Sequence, residues 1–177
     1  YDLVNLHMAY RHQTPGRMLT PLLNSRTDQY GGSLENRARF PLLCCERIKQ
    51  ACGADFPVEV QLSAEEDIAD PMARFDSLGC AIPRSGAQVR GITLDDTIAF
   101  ARMAVGKVDI LQLRGGLVDP SHPTGFTTEE TPFLSYASAV RRALPEDCGM
   151  LVETIGGFQD PNTCEAALAA GAADLIA

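Results

Sequence analysis

Apolar and polar residues recur along this chain with two periods, and the two take turns. Val58, Val60 and Leu62 alternate with polar neighbours through "FPVEVQLS" (Phe56–Ser63), the period of two that marks a strand. "DLVNLH" (Asp2–His7), "VDILQLRGG" (Val108–Gly116), "MLVETIGGF" (Met150–Phe158) and "ADLIA" (Ala173–Ala177) supply four further strand-like runs. Between them the spacing becomes helical. Leu34, Ala38, Leu42, Cys45, Ile48 and Cys52 share one helical face; Ser33 stands at the N-cap, Glu35 in the first turn, and Gly53 where the helix would end. Thr93 and Asp96 make a capping-box start for a helix through about Met103. Pro132 begins another, reaching roughly Leu144. Asp160 and Pro161 supply the cap and first position of a helix that stops at Gly171.

Five strands alternating with four helices, without hairpin signals, predict an α/β fold with a parallel sheet and helical crossovers. The pattern fits an open doubly wound sheet and part of a (β/α)8 TIM barrel equally well. A whole barrel needs about 250 residues, more than the 177 present. The stretch from about Glu65 to Gly91 holds Pro71, Pro83 and several glycines without a clear period, and is longer than an ordinary βα loop. It reads as an insertion or lid within a single domain spanning 1–177.

Composition narrows the function classes. A net charge of −8 with scattered basic residues speaks against nucleic acid. No apolar run approaches the roughly 18 residues of a membrane span. The start at Tyr1 and the end inside an apolar run predict a piece of a longer protein. The six cysteines form no C-x-x-C pair, which argues against a zinc or iron–sulfur site within the chain. Cys44, Cys45, Cys52 and Cys164 fall among Ala and Leu in helical patterns, as reduced cysteines of a cytoplasmic protein would.

Several places could carry chemistry. Gly156–Gly157 follow a strand and precede the helix capped by Asp160, a turn whose exposed N–H groups suit a phosphate, although a plain tight turn would look the same. "HMAYRHQ" sets His7, Tyr10, Arg11 and His12 just beyond a strand, where they could hold a carbonyl oxygen or donate a proton, or merely line a polar loop. Gln61, Arg114 and His122 are single candidates for an anion or a ring carbonyl. Glu65, Glu66 and Asp67 read first as a solvated acidic loop and second as metal ligands.

The stretch "NSRTDQYGGSLENRARF" (Asn24–Phe40) is more specific than any of these. It closely resembles the signature of the Old Yellow Enzyme family, FMN-dependent NADH:flavin oxidoreductases and ene-reductases, which reads N-x-R-x-D-x-[YF]-G-G-S-x-x-N-R. Asn24, Arg26, Asp28, Tyr30, Gly31, Gly32, Ser33, Asn36 and Arg37 match every fixed place. The strand-like runs follow in register, from "DLVNLH" as the family's fourth strand to "GAADLIA" as the start of its eighth. "ITLDDTIAFARMA" and "HPTGF" are similar to the branch holding 2-enoate and dienoyl-CoA reductases and bile-acid oxidoreductases.

That resemblance implies a partial barrel, approximately strands 4 to 8. It implies FMN as cofactor and NAD(P)H as electron donor, with an unsaturated carbonyl compound as small-molecule substrate. Any iron–sulfur cluster or FAD domain would lie outside this chain. His7 matches the family's first carbonyl-binding histidine. Tyr10 stands where the family has His or Asn, and His12 where it often has the proton-donating Tyr, leaving both as candidate donors. Gln61 replaces an arginine that contacts the flavin, Arg114 is a further cofactor candidate, and Gly156–Gly157 match the phosphate-contacting turn. In the signature itself Arg26, Asp28, Arg37 and Arg39 are expected to pair with one another and Tyr30 to pack beside them. No phosphate is expected at Gly31–Gly32. Two other readings are a non-catalytic remnant of such a barrel and a flavin-free barrel lyase. A partial barrel exposes sheet edges, which predicts self-association into homo-oligomers.

Overall fold

In the computed structural model, residues 1–9, 13–66, 91–115 and 130–177 are described. Tyr10, Arg11, His12, Asp67, Cys80, His122 and the interior of the 65–91 insertion lie outside the described residues. The elements run β1 (Val4–His7), α1 (Thr14–Leu19), α2 (Leu34–Cys52), β2 (Val58–Ser63), α3 (Leu94–Ala104), β3 (Ile110–Arg114), α4 (Leu134–Ala143), β4 (Leu151–Thr154), α5 (Pro161–Ala169) and β5 (Leu175–Ile176).

All five strands pair in parallel and in chain order, β1-β2-β3-β4-β5. A doubly wound sheet reverses its order at a switch point; no reversal occurs among the described strands. Uninterrupted crossovers of one hand put the helices on one face and curve the sheet, as in a (β/α)8 barrel. The packing agrees. Val58, Val60, Leu62, Leu111, Leu113 and Val152 are buried on one sheet face, against Ala38 and Cys45 of α2, Phe100 and Ala101 of α3, and Ala137 and Val140 of α4. Each such Val or Leu contributes about 1.5–3 kcal/mol.

The expected caps form. Ser33 Oγ accepts from Asn36 N–H, Thr93 and Asp96 close a reciprocal capping box, and Asp160 accepts from Asn162 N–H. Two helices differ from expectation. Helix α4 starts at Leu134 rather than Pro132, because Thr131 takes a left-handed φ of 53° and delays the first turn. Helix α1 is an element the sequence pattern did not show, and it holds Pro15 and Gly16. Pro15 occupies the first turn, where it loses no hydrogen bond. Gly16 lets the helix lie directly on the main chain of Met8: a Cβ there would come within 2.2 Å of Met8 O.

Two aspartates fix the register at the strand starts. Asp109 Oδ2 accepts from Val58 N–H at 2.7 Å, while its other oxygen takes Lys49 Nζ, from the last turn of α2, at 3.0 Å. Asp174 repeats the arrangement, accepting from Val152 N–H at 2.8 Å and from Arg141 Nε, in the last turn of α4, at 3.0 Å. Each carboxylate thus joins two neighbouring strands and the helix that leads into the first of them.

Among the described residues, Cys44, Cys45, Cys52, Cys148 and Cys164 are free thiols. Burial pushes the Cys45 thiol up to about 12, whereas Cys52 is exposed at the end of α2. Mass spectrometry after iodoacetamide treatment at neutral pH is therefore expected to find Cys52 modified and Cys45 untouched until the protein is unfolded.

Candidate active site

With the apolar positions of each strand turned to the helices, the intervening positions face the other way. That inner face carries Asn5 and His7 from β1, Glu59, Gln61 and Ser63 from β2, Gln112 and Arg114 from β3, and Glu153 from β4. A barrel interior is ordinarily filled by Val, Ile and Leu. Here Glu59, Gln61, Ser63 and Gln112 are buried polar groups, and they must be satisfied by one another or by a ligand.

The register aligns them. His7 lies opposite Gln61, Gln61 opposite Gln112, and Gln112 opposite Glu153. Gln61 Nε2 donates to Gln112 Oε1, and Gln112 Nε2 donates to Glu153 Oε2 at 2.9 Å. Gln61 Oε1 is buried, and no donor among the described residues reaches it. Burial, and secondly the nearby Glu59, hold the Glu153 carboxyl above the usual glutamate range, an effect that the bond from Gln112 opposes. Arg114 stands one step nearer the strand ends, opposite Ser63; burial lowers its pKa, but a guanidinium remains charged. Gln61, read from sequence as closing its strand, is followed by Leu62 and Ser63 in β2 and so sits deeper than Arg114.

Above the row lie the glycines. Gly156 and Gly157 both take positive φ, 96° and 76°, so the turn before α5 has a backbone that other residues resist. Gly115 leaves no room for a side chain, since a Cβ would come within 2.1 Å of the Phe133 ring, and the same ring lies beside Gly156. Phe133 therefore wedges between the ends of β3 and β4.

Two expectations need correction. Glu66 is not part of a solvated acidic loop. It is buried, accepts from the Thr20 hydroxyl at the end of α1, and accepts from Ile92 N–H at 3.1 Å. It thereby ties the two ends of the insertion to each other, and Glu66 N–H to Ile92 O at 2.8 Å completes the clasp. Its neighbour Glu65 accepts from the Tyr136 hydroxyl at 3.1 Å. No group of three or more His, Cys, Asp or Glu among the described residues is placed to hold a metal ion. In the signature loop, Arg26 does pair with Asp28 and lies over the Tyr30 ring at 5.8 Å. Arg37 and Arg39 reach main-chain carbonyls instead: Arg37 those of Leu19 and Gly32, Arg39 that of Gln29. The loop is fastened to its own backbone and to the end of α1.

The structure thus brings His7, Gln61 and Arg114 onto one face and sets Gly156–Gly157 beyond the end of β4; Tyr10 and His12 lie outside the described residues. Sequence reasoning missed Gln112, Glu153 and Glu59, and misread Glu66. The first three were marked by polar residues at inward positions of otherwise apolar strands.

Substituting Gly16→Ala should force α1 off Met8, and with it the segment leaving His7, costing about 1–3 kcal/mol in urea unfolding. For Glu153 the folded chain keeps a proton that the unfolded chain releases. Its stability is therefore fully present below the ordinary glutamate value of 4.5 and is lost as pH rises through the raised folded value. Glu153→Gln is expected to match the parent Tm near about pH 4 and to exceed it near about pH 7.5.

Among known proteins, the family model described as NADH:flavin oxidoreductase / NADH oxidase matches residues 1–177. The NADH oxidase of Thermoanaerobacter brockii is 29% identical over 100% of this chain and 24% of its own length. The cinnamate reductase of Clostridium sporogenes is 28% identical over 100% of this chain and 26% of its own. The solved Old Yellow Enzyme homologue from Zymomonas mobilis superposes with a TM-score of 0.65 at 25% identity, covering 100% of this chain and 42% of that one. The chain spans about a quarter of the length of those two relatives, and its sheet is part of a TIM barrel. On the match along its whole length, this chain belongs to the NADH:flavin oxidoreductase / NADH oxidase family.

Proposed function

We propose that the protein carrying this chain is an FMN-dependent oxidoreductase that moves hydride from NAD(P)H to the C=C bond of α,β-unsaturated carbonyl compounds. The observation that carries this reading is the inner face itself: a histidine in register with a buried polar row, with a glycine turn beyond it. The name of the Clostridium sporogenes relative, a cinnamate reductase, supports an unsaturated carbonyl substrate.

The residues present fit a flavin mononucleotide. Gly156 and Gly157 take positive φ just before the α5 N-terminus; Gly156 N–H donates to Ala177 O at 3.4 Å, and Gly157 presents its N–H for a phosphate. Gln61 Oε1 is a buried acceptor awaiting a donor, and Arg114 supplies a nearby cation. When bound, FMN would supply the hydride-transfer chemistry between the nicotinamide and the β-carbon of the alkene. The chain does the rest. His7 donates to the substrate carbonyl, drawing electron density from the β-carbon, and Tyr10 or His12 delivers the proton to the α-carbon. The free cysteines support a reducing, cytoplasmic setting.

The test uses the full-length protein. It should purify with the visible absorbance of bound flavin, and NAD(P)H should bleach it. His7→Ala should lower kcat/KM for an unsaturated carbonyl about 100-fold while leaving flavin reduction by NAD(P)H unchanged. A full-length protein that holds no flavin would sink the reading and favour a remnant or a flavin-free lyase.

A further inference from the structure

The roles proposed above leave Gln112 and Glu153 unused, yet these two settle how Gln61 is oriented. A side-chain amide has a donor end and an acceptor end. Glu153 Oε2 is the acceptor in its contact with Gln112, at 2.9 Å, so Gln112 turns its NH2 group to β4. The Gln112 carbonyl then faces β2, and Gln61 must answer with its own NH2 group. What remains of the Gln61 amide is Oε1, on the side away from Gln112. That oxygen is buried on a residue only 8% exposed, and no donor among the described residues meets it.

We propose that Gln112 and Glu153 are positioning residues that lock the Gln61 amide with its carbonyl oxygen toward the ligand, so that the site selects a ligand edge presenting a neutral N–H. The direction of this relay follows from chemistry. A carboxylate at one end accepts only, and each amide passes that polarity to the next strand. The ligand assignment rests on the flavin reading: the oxidised flavin ring carries one N–H, its imide, and that is the group the Gln61 oxygen would receive.

The experiment measures dissociation constants by quenching of flavin fluorescence in the full-length apoprotein, with FMN and with FMN methylated at the imide nitrogen. The parent should bind FMN about tenfold more tightly than the methylated form, the worth of one hydrogen bond. Gln112→Met and Glu153→Leu should reduce that preference to about threefold or less. Glu153→Gln puts an amide with a donor and an acceptor end where the accept-only carboxylate stood, so it should also weaken the preference, which a merely structural role for Glu153 would not require. Equal preference in the parent and Gln112→Met, or in the parent and Glu153→Leu, overturns the relay. A parent that binds neither flavin overturns the flavin reading instead. The relay is then decided by NMR of the 15N-labelled Gln61 side-chain NH2, expected to be protected from exchange in the parent and released in Gln112→Met; no protection in the parent overturns it.

Discussion

The parallel register from β1 to β4 is the constraint on which everything else rests. Side chains alternate across a sheet, so a slip of one residue would bury Glu59, Gln61 and Gln112 among the helices and turn Val60 and Leu111 inward. Hydrophobic burial opposes such a slip, but burial alone is forgiving where Val, Ile and Leu follow one another. Asp109 and Asp174 remove that freedom. Each accepts an N–H at the start of the preceding strand and the cation ending the helix that leads into that strand, so helix, strand and next strand meet at one carboxylate.

With the register fixed, the inner face becomes a place where polar groups meet in a dry setting. A hydrogen bond there is stronger than in water, and an unmet one costs more. The row from Gln61 to Glu153 satisfies itself toward β4 and leaves its unmet oxygen at the Gln61 end. Glu66 plays a different part in the same region. Its buried carboxyl, held by Thr20 and Ile92, joins the end of α1 to the stem of the insertion. The segment leaving His7 is pinned on the other side by Gly16 against Met8. The signature loop completes this frame through Arg37 on Leu19 and Gly32.

Much of this was legible in the residues because it depends on local rules. The strands showed in the alternation of Val58, Val60 and Leu62, and the helices in Ser33, Thr93 and Asp160, whose side chains cap the next turn wherever they fall. Helix α1 was not legible: Pro15 and Gly16 signal a break unless one knows that Met8 lies beneath Gly16. Glu66 was misread for a related reason, since an acidic run reads as solvated until Thr20 and Ile92 are known to be its neighbours. Arg37 and Arg39 looked like partners for Asp28, yet Arg37 reaches the carbonyls of Leu19 and Gly32 and Arg39 that of Gln29, contacts that depend on how the loop folds.

By itself the sequence determined the order of the strands and of every helix but α1, the parallel class of the sheet, the family signature and the glycine turn at Gly156–Gly157. All of these are set by residues close together in the chain. Only the tertiary structure decided which polar side chains share a face and which atoms they offer. Gln61, Gln112 and Glu153 are separated by 51 and 41 positions. No local pattern links them; a hydrogen bond across strands depends on register and curvature, which belong to the sheet as a whole.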